Sequence, residues 1–158
     1  MSDQATQVIV IDAPPQACFD VAVAFERYPE WTGDIKEVEV RERDAEGRGV
    51  LVHFRTAAYG RSTTYLLHYD YREAPKVLSW TEVEGDLTSK LDGAYVFAET
   101  TIPAAGENPA RVGTEVTYHL EAALKLPIPG FVKRRAEGRI MHTALRQLKA
   151  RVEAAASA

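Results

Sequence analysis

Two periods of hydrophobic positions divide the chain. Near the start and at the end, apolar residues recur every three or four positions; from Asp34 to Ala122 they tend to alternate every second one. Thr6–Asp12 is a β-branched run and reads as a strand. Ala13-Pro14-Pro15 breaks it, and Pro14 or Pro15 suits the first turn of a helix. From Gln16 to Glu26, Cys18, Val21, Ala22 and Phe25 share one helical face. Pro29 turns Tyr28 away from helix and ends that segment, leaving room for a second short turn before Gly33.

The alternating region reads as six strands separated by turn residues. In Ile35–Arg43, Val38 and Val40 oppose Glu37, Glu39 and Arg41, and Ala45-Glu46-Gly47 makes the turn. Val50, Val52 and Phe54 share a face of the next strand, which ends near Tyr59-Gly60. Thr63–Tyr71, Val77–Glu84 and Leu91–Thr100 follow, bounded by Glu73-Ala74-Pro75, Gly85-Asp86 and the loose Pro103–Pro109 loop. In Thr114–Ala122, Val116, Tyr118 and Leu120 oppose Glu115, Thr117, His119 and Glu121, the pattern of a half-exposed antiparallel strand.

The long helical signal runs from Pro129 to about Glu153. At about 100° per residue, Phe131, Arg134, Gly138, Met141, Leu145, Leu148 and Val152 form one stripe, while Lys133, Arg139 and Arg146 point elsewhere. A charge and a glycine in that stripe suit a pocket beneath the helix better than a plain core. Gly138 costs roughly 1 kcal/mol against alanine and either lets another backbone approach or leaves space for another group. The order is strand, helix pair, six strands, long helix. Hairpin-linked strands make an antiparallel sheet, and the amphipathic helices bury their faces against one side of it. The expected architecture is α+β, one domain over residues 1–158, with its core at about 7–152 and residues 154–158 frayed.

At 158 residues, 46% hydrophobic and 27% charged, the chain has the composition of a globular domain. A net charge of −4 argues against a nucleic-acid or anionic-membrane surface; Lys133-Arg134-Arg135 is a local exception. No apolar run approaches the ~18 residues of a membrane span, so no membrane insertion is expected. The single cysteine, Cys18, fits a reducing compartment, and Met1–Gln7 shows neither a basic nor an apolar leader. The expected location is the cytoplasm.

Catalytic signatures are missing. There is no Gly-x-Ser-x-Gly, phosphate loop, dinucleotide fingerprint or His-Glu-x-x-His. His53, His68, His119 and His142 have no ligand spacing, so neither a metal site nor a cofactor is expected. His68 and Asp70 share one side of a strand and would form an acid/base pair if that side faced inward. Tyr65, Leu67, Tyr69 and Tyr71 on the other side compete for the interior. Aromatic residues carry more information. Trp80, Tyr95, Phe97 and Tyr118 fall in neighbouring strands, with the smaller Gly93 at the parity of Tyr95. Facing Met141, they suit an apolar pocket with few polar groups.

The chain resembles the START-like superfamily, in the polyketide cyclase/dehydrase branch of helix-grip proteins. The residues that carry the likeness are Val10–Pro15, Arg27-Tyr28-Pro29-Glu30-Trp31, Leu78-Ser79-Trp80 leading to Glu84-Gly85, Gly113-Thr114-Glu115-Val116 and Pro127–Arg135. The resemblance implies a curved seven-stranded antiparallel sheet wrapped around a long C-terminal helix, with two short helices after the first strand. It also implies a cavity between sheet and helix for a hydrophobic or amphipathic small molecule such as a lipid, isoprenoid or polyketide-like compound. It supplies no catalytic residue. The expected ligand-binding set is Trp80, Tyr95, Phe97, Tyr118, Leu120, Arg134, Gly138, Met141 and Leu145, with Arg134 meeting a polar end. The alternative is a polyketide aromatase/cyclase or dehydratase acting in the same cavity. The expected assembly is a monomer or homodimer.

Overall fold

Seven antiparallel strands build one curved sheet, and a long helix lies against its concave face. The structure is a computed structural model that describes residues 3–58 and 60–157. β1 (Asp3–Ile11) leads into α1 (Pro15–Val23), a single 3-10 turn (Phe25–Arg27) and α2 (Tyr28–Trp31). β2 (Ile35–Arg43), β3 (Gly49–Ala58), β4 (Arg61–Asp70), β5 (Val77–Gly85), β6 (Thr88–Ile102) and β7 (Arg111–Leu124) follow in succession. α3 (Gly130–Ala156) comes last.

The strand order is β1-β7-β6-β5-β4-β3-β2. Each strand from β2 to β7 pairs with its neighbour in the chain, as short turns dictate. β1 and β2 occupy opposite edges, so α1 and α2 carry the chain across the sheet. Register shifts in the β2–β3, β4–β5 and β6–β7 pairings add local twist and bend the sheet. Gly47, at φ 82°, makes the β2–β3 turn in the left-handed conformation that glycine adopts without a Cβ clash.

α1 begins at Pro15 with Pro14 as its N-cap, as the prolines predict. The effect expected of Pro29 is not seen: Tyr28 is helical, at φ −52° and ψ −41°. Tertiary contacts outweigh the local bias, because the Tyr28 hydroxyl donates to the Ala22 carbonyl. Its ring also packs on Phe25, Trp31 and Phe54. α3 runs on to Ala156, past the predicted end of the helical pattern at about Glu153; Ala158 lies outside the described residues. The predicted end of β3 at Tyr59 also lies outside them.

Strand parity settles which side faces in. Val52, Phe54, Leu67, Tyr69, Leu78, Trp80, Phe97, Val116, Tyr118 and Leu120 join one buried cluster with α1 and the C-terminal part of α3. His68 is exposed on the outer face, and Asp70 binds Arg72 there with Oδ2 2.8 Å from Nε. That pairing holds the Asp70 carboxyl below its usual range. The interior is claimed by Leu67 and Tyr69, whose burial outweighs that of a histidine and a carboxylate. No acid/base pair of His68 and Asp70 enters the core.

Candidate functional site between the sheet and the long helix

The inner face of the sheet carries a continuous belt of rings. Trp80 lies 5.3 Å from Tyr95 and 5.9 Å from Tyr118, ring centre to ring centre, and Tyr95 lies 4.7 Å from Tyr118. Tyr69 extends the belt to 5.8 Å from Trp80, and Phe97 continues it to 6.0 Å from Tyr95. Further along, Tyr65 stacks on Phe54 at 5.3 Å. Gly93 seats the indole: a Cβ there would fall 2.5 Å from Trp80 Cζ2 and 2.7 Å from the His119 carbonyl oxygen. The small residue thus lets a large one lie across the neighbouring strand.

Burial pushes the Tyr65 and Tyr95 phenols above the usual tyrosine range, and both residues are half-buried. Burial also raises Tyr69 and Tyr118. All four hydroxyls are therefore neutral at neutral pH and act as hydrogen-bonding groups rather than charges.

From the helix side, Met141, Leu145, Leu148 and Val152 are buried. The predicted stripe holds for these residues and fails in the first two turns. Phe131 is 69% exposed and Arg134 is exposed, while Lys133 and Glu137 are buried. Lys133 Nζ donates to the Ala122 carbonyl at 2.5 Å and lies 3.8 Å from Glu137 Oε2. What packs against each turn decides its buried side. The end of β7 stands beside the first turns, and Lys133 is drawn to it. The inward row is Lys133, Glu137, Met141 and Leu145, a strict i, i+4 series. That spacing was present in the sequence, but two charged residues at its head kept it from reading as a buried face.

Trp80, Tyr95, Phe97, Tyr118, Leu120, Met141 and Leu145 thus lie on the facing surfaces of sheet and helix. Arg134 does not join them; its Nη1 lies back over Gly130 on the solvent side. Gly138 faces β1, where its carbonyl accepts a 2.8 Å hydrogen bond from Gln7 Nε2. A Cβ on Gly138 would meet only that amide, at 3.8 Å. Lys133, Glu137, Tyr65 and Tyr69 are among the inward residues missing from the predicted set. Two open grooves lie elsewhere, one of about 370 Å³ at Asp70, Arg72, Glu73, Val77 and Ser79, and one of about 200 Å³ that includes Thr6 and His119. Among the described residues no cluster of histidine, cysteine or carboxylate side chains is placed to hold a metal.

Comparison with solved structures gives the same architecture. A START superfamily protein from Mycobacterium smegmatis superposes with a TM-score of 0.81 at 21% identity, covering 95% of this chain and 97% of that one. The ZhuI aromatase/cyclase from Streptomyces sp. R1128 gives 0.75 at 12% identity, with 97% and 94% covered. A major latex-like protein from Panax ginseng gives 0.67 at 12% identity, with 95% and 97% covered. These likenesses concern the fold. No curated protein matches the chain significantly. A family model described as polyketide cyclase/dehydrase and lipid transport matches residues 2–153, nearly the whole chain. With that match and the helix-grip architecture together, the chain belongs to the polyketide cyclase/dehydrase and lipid transport family.

Proposed function

We infer that the protein binds an apolar or amphipathic small molecule between the sheet and α3. The observation that carries this reading is the aromatic belt of Tyr69, Trp80, Tyr95, Phe97 and Tyr118 on the inner face of the sheet, in one cluster with Met141 and Leu145 of α3. Trp80, Phe97, Tyr118, Leu120, Met141 and Leu145 supply apolar contact. The phenols and the Lys133–Glu137 pair supply the few polar groups that orient such a ligand. Because that pair is neutral overall, it favours a hydroxyl or carbonyl at the ligand's polar end. Arg134, outside the row, can reach a carboxylate only at the rim.

A second reading, a polyketide aromatase/cyclase or dehydratase using the same space, draws on the four neutral phenols and the Glu137 carboxylate. Positioning a reactive chain would then supply most of the rate.

Native mass spectrometry of protein purified from its own host tests the binding reading. The expected result is a retained apolar molecule. Addition of that molecule at about 100 times its Kd stabilises the wild type by about 2.7 kcal/mol. A wild type that retains nothing, and whose Tm no fatty acid, isoprenoid or aromatic polyketide moves, would overturn the reading. Conversion of a poly-β-ketone thioester by the wild type would favour the enzyme.

A further inference from the structure

We propose that the corner joining β7 to α3 is a docking surface for an anionic lipid bilayer. Residues 125–132 are exposed without interruption. Among them Leu126 is 55% exposed, Phe131 69% and Val132 43%, with Ile128 beside them. Exposed large apolar groups gathered on one tip mark an interaction site more often than scattered ones do. Pro127 and Pro129 limit the backbone freedom of this tip, so little order is lost when it inserts. Lys125 fastens it to the β5–β6 turn, with its backbone N–H donating to Leu87 O at 2.9 Å and Nζ to Gly85 O at 2.6 Å.

Charge complementarity identifies the occupant. From Lys125 to Gln147 the sequence has a single carboxylate, Glu137, and it faces inward with Lys133. Lys125, Arg134, Arg135 and Arg139 remain around the apolar tip, all exposed. Among the described residues no carboxylate forms an ion pair with the three arginines. Although the net charge is −4, the 125–147 stretch is basic, with Glu84 and Asp86 exposed on the adjoining β5–β6 turn. A second copy related by two-fold symmetry would set these arginines against one another. An anionic bilayer accepts both parts: phosphates and acidic headgroups take the arginines, and the acyl boundary takes Phe131, Leu126 and Val132. Among the described residues no helix is long and apolar enough to cross a membrane, so the contact is peripheral. The tip adjoins the end of β7 where Lys133 binds Ala122, at the Lys133 end of the inner row.

Co-sedimentation of the full chain with vesicles tests this, using phosphatidylcholine alone or mixed with phosphatidylglycerol. The expected result is partition onto the mixed vesicles only, weakened by high salt. Replacing all three arginines together (R134Q, R135Q and R139Q) should lower partition about a hundredfold. The double change Phe131→Ser with Val132→Ser should lower it at least about tenfold. Both variants should keep the wild-type Tm, because the residues are exposed. The proposal is overturned if the wild type ignores the mixed vesicles or binds neutral ones equally. It is also overturned if either variant binds like wild type. A wild-type dimer that Phe131→Ser dissolves would assign the tip to a second copy instead.

Discussion

The two halves of α3 obey opposite rules. From Met141 to Val152 the helix is an ordinary amphipathic element, with Met141, Leu145, Leu148 and Val152 buried and Arg146 exposed. From Gly130 to Ile140 the arrangement inverts. Phe131, Val132 and Ile140 face solvent, while Lys133 and Glu137 face the protein. One half contributes to stability through apolar burial. The other spends interior positions on charge and surface positions on apolar groups, which stability alone does not select. The difference marks the N-terminal half as the part of α3 that apolar burial does not explain, both inside, where a polar pair heads the apolar row, and outside, where the exposed tip lies.

The sharpest way to break this contrast is to split the Lys133–Glu137 pair. Lys133→Met alone leaves a buried carboxylate and should cost about 3–5 kcal/mol. The double change Lys133→Met with Glu137→Leu should recover most of that loss, as replacing a whole buried pair by apolar groups often does. Urea unfolding of the three proteins checks it. A single variant as stable as wild type would mean that the pair is hydrated rather than buried.

Next in size is a matched truncation in the two halves. Leu145→Ala should cost about 2–5 kcal/mol, a cavity in a packed core. Phe131→Ala, although a larger truncation, should stay within about 0.5 kcal/mol as an exposed substitution. Thermal unfolding of both variants gives the comparison directly, and similar losses would erase the distinction between the halves.

The smallest effect concerns Gly138. Its open Cβ direction, limited only by Gln7 Nε2, predicts that Gly138→Ala raises stability by up to about 1 kcal/mol through helix propensity. A loss measured in the same unfolding experiment would mean that the glycine is needed for close approach to β1.

Periodicity made most of the fold legible. The β2–β7 succession, the prolines before α1 and α3 as far as about Glu153 all follow from short-range patterns, because turns and alternation are local properties of the chain. The parity of β7 likewise made Tyr118 and Leu120 readable as inward residues, and Trp80, Tyr95 and Phe97 followed from neighbouring strands. Less legible was the helix side of the site. Ideal helical spacing places Arg134 beside Met141, but the structure turns it to solvent and buries Lys133 instead.

The sequence by itself determined the elements, their order and the sides that most of them bury, since each rests on residues within a few positions of one another. Only the tertiary structure decided the helical state of Tyr28, the outward position of His68 and Asp70, and the inward turn of Lys133 and Glu137. Those outcomes depend on groups distant in the chain or packed from another element. Phe54 packs against Tyr28, and the Ala122 carbonyl receives Lys133. A local pattern can state which face of a helix is apolar. It cannot state where a strand end will stand beside that helix, and that neighbour decides which charge is buried.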